Sequence, residues 1–135
     1  MPRNRRLRKV VAPPGFKGYK PYGVNNESDG HVELLYEEYE AIKLADFDLM
    51  NHQEASKLMG ISRPTFARIY ESARRKIAKA LVEVREIKAS YGNAKLDKSW
   101  FICNDCHARF TMPKTIRDQE CAMCKSDNIN PINTK

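Results

Sequence analysis

The stretch that most limits the fold is residues 51 to 81, where two amphipathic helical patterns are separated only by Gly60, Ile61 and Ser62. Asn51 is a helix cap, with Glu54 three positions on to close a capping-box-like pair, and Ala55, Leu58 and Met59 form the apolar side of that first short helix. Gly60 permits a sharp turn, Ile61 fills the space between the helices, and Ser62 caps the second. Pro64 falls in the first turn of the second helix, where its missing N–H costs nothing. Phe66, Ile69, Tyr70, Ala73, Ile77, Leu81, Val84 and Ile87 then recur at helical spacing, which predicts an inward face of five or six turns ending near Tyr91. Together these features predict a helix-turn-helix.

The remaining surface of the second helix carries Arg63, Thr65, Arg68, Ser72, Arg75, Lys76 and Lys79. In a helix-turn-helix that helix enters the major groove of duplex DNA, so its first turns meet base edges. Arg63 and Arg68 are the expected base readers, because arginine donates two hydrogen bonds to guanine O6 and N7. Pro64 and Ala67 lie on the same leading face, facing thymine methyls. Ser72 shares this surface, while Thr65, Arg74, Arg75, Lys76 and Gln53 are expected at phosphates, which give affinity and register without specifying sequence.

Charge follows the same division. The net charge is +7, but it is gathered as +5 over residues 1–30 and +6 over 61–98, with −5 over 31–60 between them. Residues 1–23 mix prolines and glycines with Arg3, Arg5, Arg6, Arg8 and Lys9, a composition that resists a helix. They read as a basic arm that follows phosphates or enters a minor groove, the alternatives being a solvated tail or, for Phe16, Tyr19 and Tyr22, packing onto the core. Residues 24–31 read as a loop.

From Val32 to Phe47, Leu35, Tyr36, Tyr39, Ile42 and Ala45 fit one stripe of an amphipathic helix after a short extended entry. Glu37, Glu38 and Glu40 in its first turns suit the positive end of the helix dipole and are expected to form a solvated face. No His or Cys stands near them to complete a catalytic site, so a non-enzymatic protein without a small-molecule substrate is expected.

The run from His52 to Phe66, with Ile69-Tyr70 and Ala73-Arg74-Arg75-Lys76, resembles the region-4 helix-turn-helix of bacterial sigma factors. Adding Pro13-Pro14, Phe16 and the stretch from Tyr39 to Asp46, residues 1–90 resemble a prokaryotic family of small predicted DNA-binding proteins, the domain of unknown function 134. That resemblance implies a sigma-region-4-like fold and DNA binding. In two places the chain departs from the pattern. Leu49, Met50, Asn51 and His52 stand where sigma-like sequences have Gly-Leu-Thr/Ser-Gln, and Tyr36 stands where a small polar cap is usual.

All four cysteines lie in two Cys-x-x-Cys pairs, Cys103 and Cys106, then Cys121 and Cys124, with fourteen residues between the pairs. Two such knuckles place four thiolates around one ion, and a module of about 36 residues needs that staple to fold. Structural Zn²⁺ is the expected cofactor; a rubredoxin-like iron centre is the alternative. His107 offers a substitute ligand, and Cys103-x-x-Cys106-His107 also matches the c-type haem attachment string, a reading that leaves the second pair idle.

The expected architecture is therefore mainly α. It comprises a basic arm over 1–30, a three-helix helix-turn-helix domain over 31–91, a linker over 92–99 and a small β zinc ribbon over 100–135. No apolar run approaches the roughly 18 residues that span a bilayer, and clustered thiols favour a metal in a reducing compartment, so a cytoplasmic protein is expected. The expected function is sequence-specific binding of double-stranded DNA in transcription regulation, as a homodimer on paired half-sites. The alternative is an adaptor that contacts RNA polymerase or another protein through the helices and ribbon.

Overall fold

A computed structural model describes residues 8–24, 30–92, 94–96, 99–111 and 119–132. Its helices build a small three-helix unit around residues 51–81. α1 spans Tyr36–Ile42 and continues as a π-helical segment over Lys43–Phe47. α2 spans His52–Met59 and α3 spans Arg63–Val82. Both expected caps form: Asn51 Oδ1 accepts from the Glu54 amide at 2.8 Å, and Ser62 Oγ accepts from the Thr65 amide at 3.3 Å. Gly60 takes the left-handed conformation (φ 68°) between the helices, as the turn requires. Ala41, Leu44, Ala55, Met59 and Phe66 form the buried core of this unit, with Ile61, Ile69 and Tyr70 packed against it.

Outside the helices the described residues form short strands joined by turns, so the expectation of a mainly α protein is corrected to a mixed α/β fold. Eight strands are present among the described residues: β1 Arg8–Val10, β2 Gly18–Tyr19, β3 His31–Leu35, β4 Glu86–Ser90, β5 Ala94–Leu96, β6 Trp100–Cys103, β7 Arg109–Thr111 and β8 Ile129–Pro131. They make three small sheets, ordered β1-β5, β2-β4-β3 and β7-β6-β8. In the second sheet β4 is central, parallel to β3 (Val32 opposite Ile87) and antiparallel to β2 (Tyr19 opposite Ile87). Val32 and Leu34 alternate inward from β3 with exposed His31 and Glu33, the period-2 pattern of a half-buried strand. β2 approaches β4 so closely that a Cβ on Gly18 would collide with the Ile87 carbonyl.

α3 stops at Val82, well short of Tyr91, and Leu81, expected inside, is 73% exposed. The termination is made by the backbone: the Glu83 amide donates to Lys79 O (2.9 Å), the Arg85 amide reaches Ala80 O (2.8 Å), and Val84 sits at φ 56°. This is a Schellman-type ending with valine where glycine is usual, which is why no sequence signal announced it. A β-branched residue in the left-handed region costs roughly 1–2 kcal/mol, whereas glycine adds about 0.5–1 kcal/mol of unfolded-state entropy. Val84→Gly is therefore expected to raise stability slightly, by about 0.5 kcal/mol, read as a higher urea midpoint at constant m-value. Leu49 shows the same exchange. It stands where the sigma-like pattern has glycine, and it adopts φ 59°.

Residues 8–19 are packed onto the body. Val10 is fully buried with Ala94 and Leu96, surrounded by Tyr36, Tyr91, Trp100 and Ile132. Pro13 and Pro14 are buried, Phe16 meets Tyr19 (4.7 Å) and Tyr39 (6.0 Å), and Tyr22 remains exposed. Within the expected linker, Ala94–Leu96 pairs in parallel with β1. Trp100 and Ile132 thus connect the ribbon sheet to the β1-β5 pair. Burial pushes the Tyr36 hydroxyl up, partly offset by the Arg109 guanidinium from β7.

A second correction concerns the acidic start of α1. Glu37, Glu38 and Glu40, expected as a solvated face, are among the most buried side chains, at 4%, 3% and 1% exposure. Glu38 accepts from the Leu35 amide (2.9 Å), Ser72 Oγ (2.6 Å) and Lys76 Nζ (2.7 Å), joining α1 to α3. The first of these bonds is the glutamate half of a capping box, satisfying the Leu35 amide; Leu35 has no side-chain acceptor to make the other half. Glu40 Oε2 accepts from the Val11 amide at 3.3 Å, tying the N-terminal segment to the same helix.

Candidate nucleic-acid interface and metal centre

α3 divides cleanly by helical period. Phe66, Ala73 and Ala80 are buried, seven residues apart, and the opposite side carries Pro64, Arg68, Glu71 and Arg75, all exposed. Arg63, Arg74 and Lys79 flank this exposed stripe. Ser62 positions its start, because its hydroxyl both caps Thr65 and donates to Thr65 Oγ1 (2.9 Å), which also accepts from Arg68 Nη2 at 3.3 Å. Arg74 lies over the Tyr70 ring, 5.3 Å from its centroid. Tyr70 Oη donates to Asp46 at 2.6 Å, and that bond raises the phenol pKa. Edge contacts of His52 with Phe66 (5.1 Å) and Tyr70 (5.2 Å) lock α2 against α3.

The residues singled out from sequence fall into three groups. Arg63, Pro64, Arg68 and Arg75 are exposed along α3, with Ala67 half-buried beside them and Gln53 exposed on α2. Ser72 and Lys76 turn inward to Glu38, so their polar atoms already have a partner. Thr65 is committed to the cap, as described. Arg8 lies on β1, and its side chain lines a cleft of about 470 Å³ together with Thr65, Arg68, Glu37 and Lys76. The packed segment thus brings one arm arginine beside the basic side of α3. Arg3, Arg5 and Arg6 lie outside the described residues.

Two groups give no functional signal by local pattern alone. Glu38 reads as a surface residue, although a glutamate three residues into a helix is the usual partner of the cap amide. Glu71 is the other. It is the only acidic residue between Arg63 and Val82, and it accepts from Arg75 Nη2 at 2.8 Å, with both side chains mostly exposed.

The four cysteines converge. Their sulfurs lie within 4.8 Å of one another, with Cys103 and Cys121 buried and Cys106 and Cys124 exposed. The nearest pairs, Cys103 to Cys124 (3.6 Å) and Cys106 to Cys121 (3.5 Å), are far longer than a disulfide. The two knuckles are built alike. His107 donates its amide to Cys103 O (2.9 Å) and Lys125 to Cys121 O (3.0 Å), and both residues adopt positive φ, 65° and 62°. The Cys106 amide points to Cys103 Sγ (3.4 Å), as the Cys124 amide does to Cys121 Sγ (3.4 Å).

Such N–H groups favour thiolate, and the Cys124 and Met123 amides bring the Cys121 thiol down to about 6. The Ser126 amide lowers Cys124 in the same way. Even so, desolvation, and after it the neighbouring sulfurs of Cys106, Cys103 and Cys121, leave it raised to about 12. Four sulfurs this close cannot all ionise without a cation between them. The cluster can hold a metal ion, and His107 does not belong to it among the described residues.

Comparison with known proteins places the chain. The sequence profile described as "Protein of unknown function DUF134" matches residues 1–97. The chain belongs to this DUF134 family. Relatives carry the name UPF0251 protein. One from Chloroherpeton thalassium is 40% identical over 132 residues, covering 98% of this chain and 87% of its own. One from Methanothermobacter thermautotrophicus is 37% identical, covering all of this chain and 70% of its own, and one from Pelotomaculum thermopropionicum is 39% identical, covering 93% and 95%. The relatives therefore match beyond the DUF134 region into the cysteine module. No solved structure matches the chain. No helix among the described residues is long and apolar enough to cross a membrane.

Proposed function

We propose that the protein binds double-stranded DNA through α2 and α3 used as a sigma-region-4-like helix-turn-helix, and that it regulates transcription. The observation that carries this reading is the exposed side of α3: Arg63, Arg68, Arg74, Arg75 and Lys79 on a 20-residue helix, begun by a capped turn at Gly60. A helix presented in this way fits the major groove, and arginine is the side chain best suited to guanine. Arg8, beside Arg68 in one cleft, supports an N-terminal contribution to phosphate binding. The cysteine module then serves as a structural zinc ribbon, since four thiolates fill the coordination sphere and leave no open position for water.

Duplex binding is expected to weaken steeply with salt, log K falling in proportion to log salt concentration by nearly one per phosphate neutralised. Arg68→Ala is expected to cost about 1–3 kcal/mol on the preferred sequence and much less on random duplex. Fluorescence anisotropy over a salt series measures both. Binding that is absent or independent of salt removes the DNA reading and favours the adaptor.

A further inference from the structure

The outward stripe of α3 is not uniformly basic, and its exception is informative. Pro64, Arg68, Glu71 and Arg75 follow at helical spacing on the exposed side, so any duplex lying along α3 meets the Glu71 carboxylate between two arginines. Against phosphates that carboxylate is repelled. Against base edges it is an acceptor without a donor, and so it is complementary only to an exocyclic amino group. Adenine sets its amino group beside the N7 acceptor, which faces a carboxylate unfavourably. Cytosine presents its N4 amino group with no competing acceptor, and the O6 of its paired guanine lies next to it in the major groove.

Glu71 does not stand alone, because Arg75 Nη2 donates to its Oε1 at 2.8 Å. The carboxylate has about four acceptor sites and the guanidinium has five donors, so this bond leaves both with capacity to spare. Side by side they present an acceptor and a donor, the complement of the cytosine N4 donor and guanine O6 acceptor. The mutual bond also holds two long side chains in one arrangement before binding, which lowers the ordering cost.

We propose that Glu71 and Arg75 act as a unit that reads one C·G base pair, Glu71 accepting from cytosine N4 and Arg75 donating to the O6 of the paired guanine. This rests on the DNA-binding reading above. It makes Glu71 a determinant of specificity and moves Arg75 from the phosphate contact expected from sequence to a base edge, because its bond to Glu71 holds it beside that carboxylate.

The test is a selection of bound sequences from random duplex DNA by the full-length wild-type protein, then affinity measurements on single base-pair replacements. The wild type is expected to require C·G at one position, with T·A there weakening binding roughly ten- to a hundredfold. Glu71→Ala is expected to level that position and leave the others unchanged. Glu71→Gln is expected to move the preference toward A·T, because glutamine pairs with adenine N6 and N7. Circular dichroism and thermal melting establish that both variants, altered at an exposed position, retain the fold.

A wild type that binds duplex with a preference neither variant alters overturns the assignment of this pair alone. Variants that change affinity equally on every sequence do the same, because Glu71 then acts only through its charge. A wild type that binds no duplex overturns the DNA-binding reading as well.

Discussion

Chelation of metal from the purified protein is expected to unfold the β7-β6-β8 sheet while leaving α1, α2 and α3 in place. Among the described residues the sheet closes on a core of only Cys103, Phe110 and Cys121, two of them from the sulfur cluster, with Phe101, Ala108 and Ile129 packed around it. A module of that size has too little apolar surface to offset its chain entropy. A structural zinc supplies about 10–16 kcal/mol of apparent binding free energy in comparable small modules. The helical core of Ala41, Leu44, Ala55, Met59 and Phe66 shares no residue with the sulfur cluster.

Trp100, the single tryptophan, sits where the ribbon meets Val10 and Leu96, so its fluorescence reports the loss while far-UV circular dichroism retains the helical signal. Cys103→Ser is expected to mimic the chelated state. Elemental analysis of the untreated protein separates zinc from iron. Less than one equivalent of metal with all four thiols freely titratable, or unchanged tryptophan emission after complete chelation, removes the ribbon proposal.

Glu38→Ala is expected to destabilise the helical unit by about 3 kcal/mol, from the loss of a buried charge that holds three donors. It unpairs the Leu35 amide at the start of α1, the Ser72 hydroxyl and the Lys76 ammonium together. Because the Lys76 side chain is 31% exposed, it can regain some water, which keeps the effect below that of a fully enclosed pair. Glu38→Gln keeps acceptor geometry and is expected to lose less. Replacing Glu38 and Lys76 together with Leu and Met is expected to recover much of the loss, since neither charge is then stranded. Urea denaturation of the four proteins decides; a cost below about 1 kcal/mol for Glu38→Ala would show that this network is not what joins α1 to α3.

Glu38 also shows how far local pattern carries. Glu37, Glu38 and Glu40 at a helix start favour the dipole in any context, and nothing in their spacing tells whether they meet water or a facing helix. Their partners, Ser72, Lys76 and the Val11 amide, lie 29 to 38 residues away. Ser72 and Lys76 in turn look like surface groups on an isolated helix; only the packing of α1 against α3 turns them inward. The same holds for β4. Ile87 continues the apolar spacing of α3, and valine at position 84 gives no stop, so a longer helix is the natural expectation. Tertiary pairing overrides it, because β3 on one side and β2 on the other supply partners that only exist once the chain has folded back.

Legible in the sequence was whatever depends on a few adjacent residues: the caps at Asn51 and Ser62, the left-handed turn at Gly60, the apolar stripe around Phe66, and each Cys-x-x-Cys knuckle taken singly. These features are decided by hydrogen bonds and dihedral preferences within one or two turns of chain. Only folding settled the balance of helix and strand, the burial of the α1 glutamates, the packing of the N-terminal segment beside α3 and the meeting of the two cysteine knuckles. Each of those rests on contacts between residues far apart in the chain, where burial and pairing outweigh local propensity.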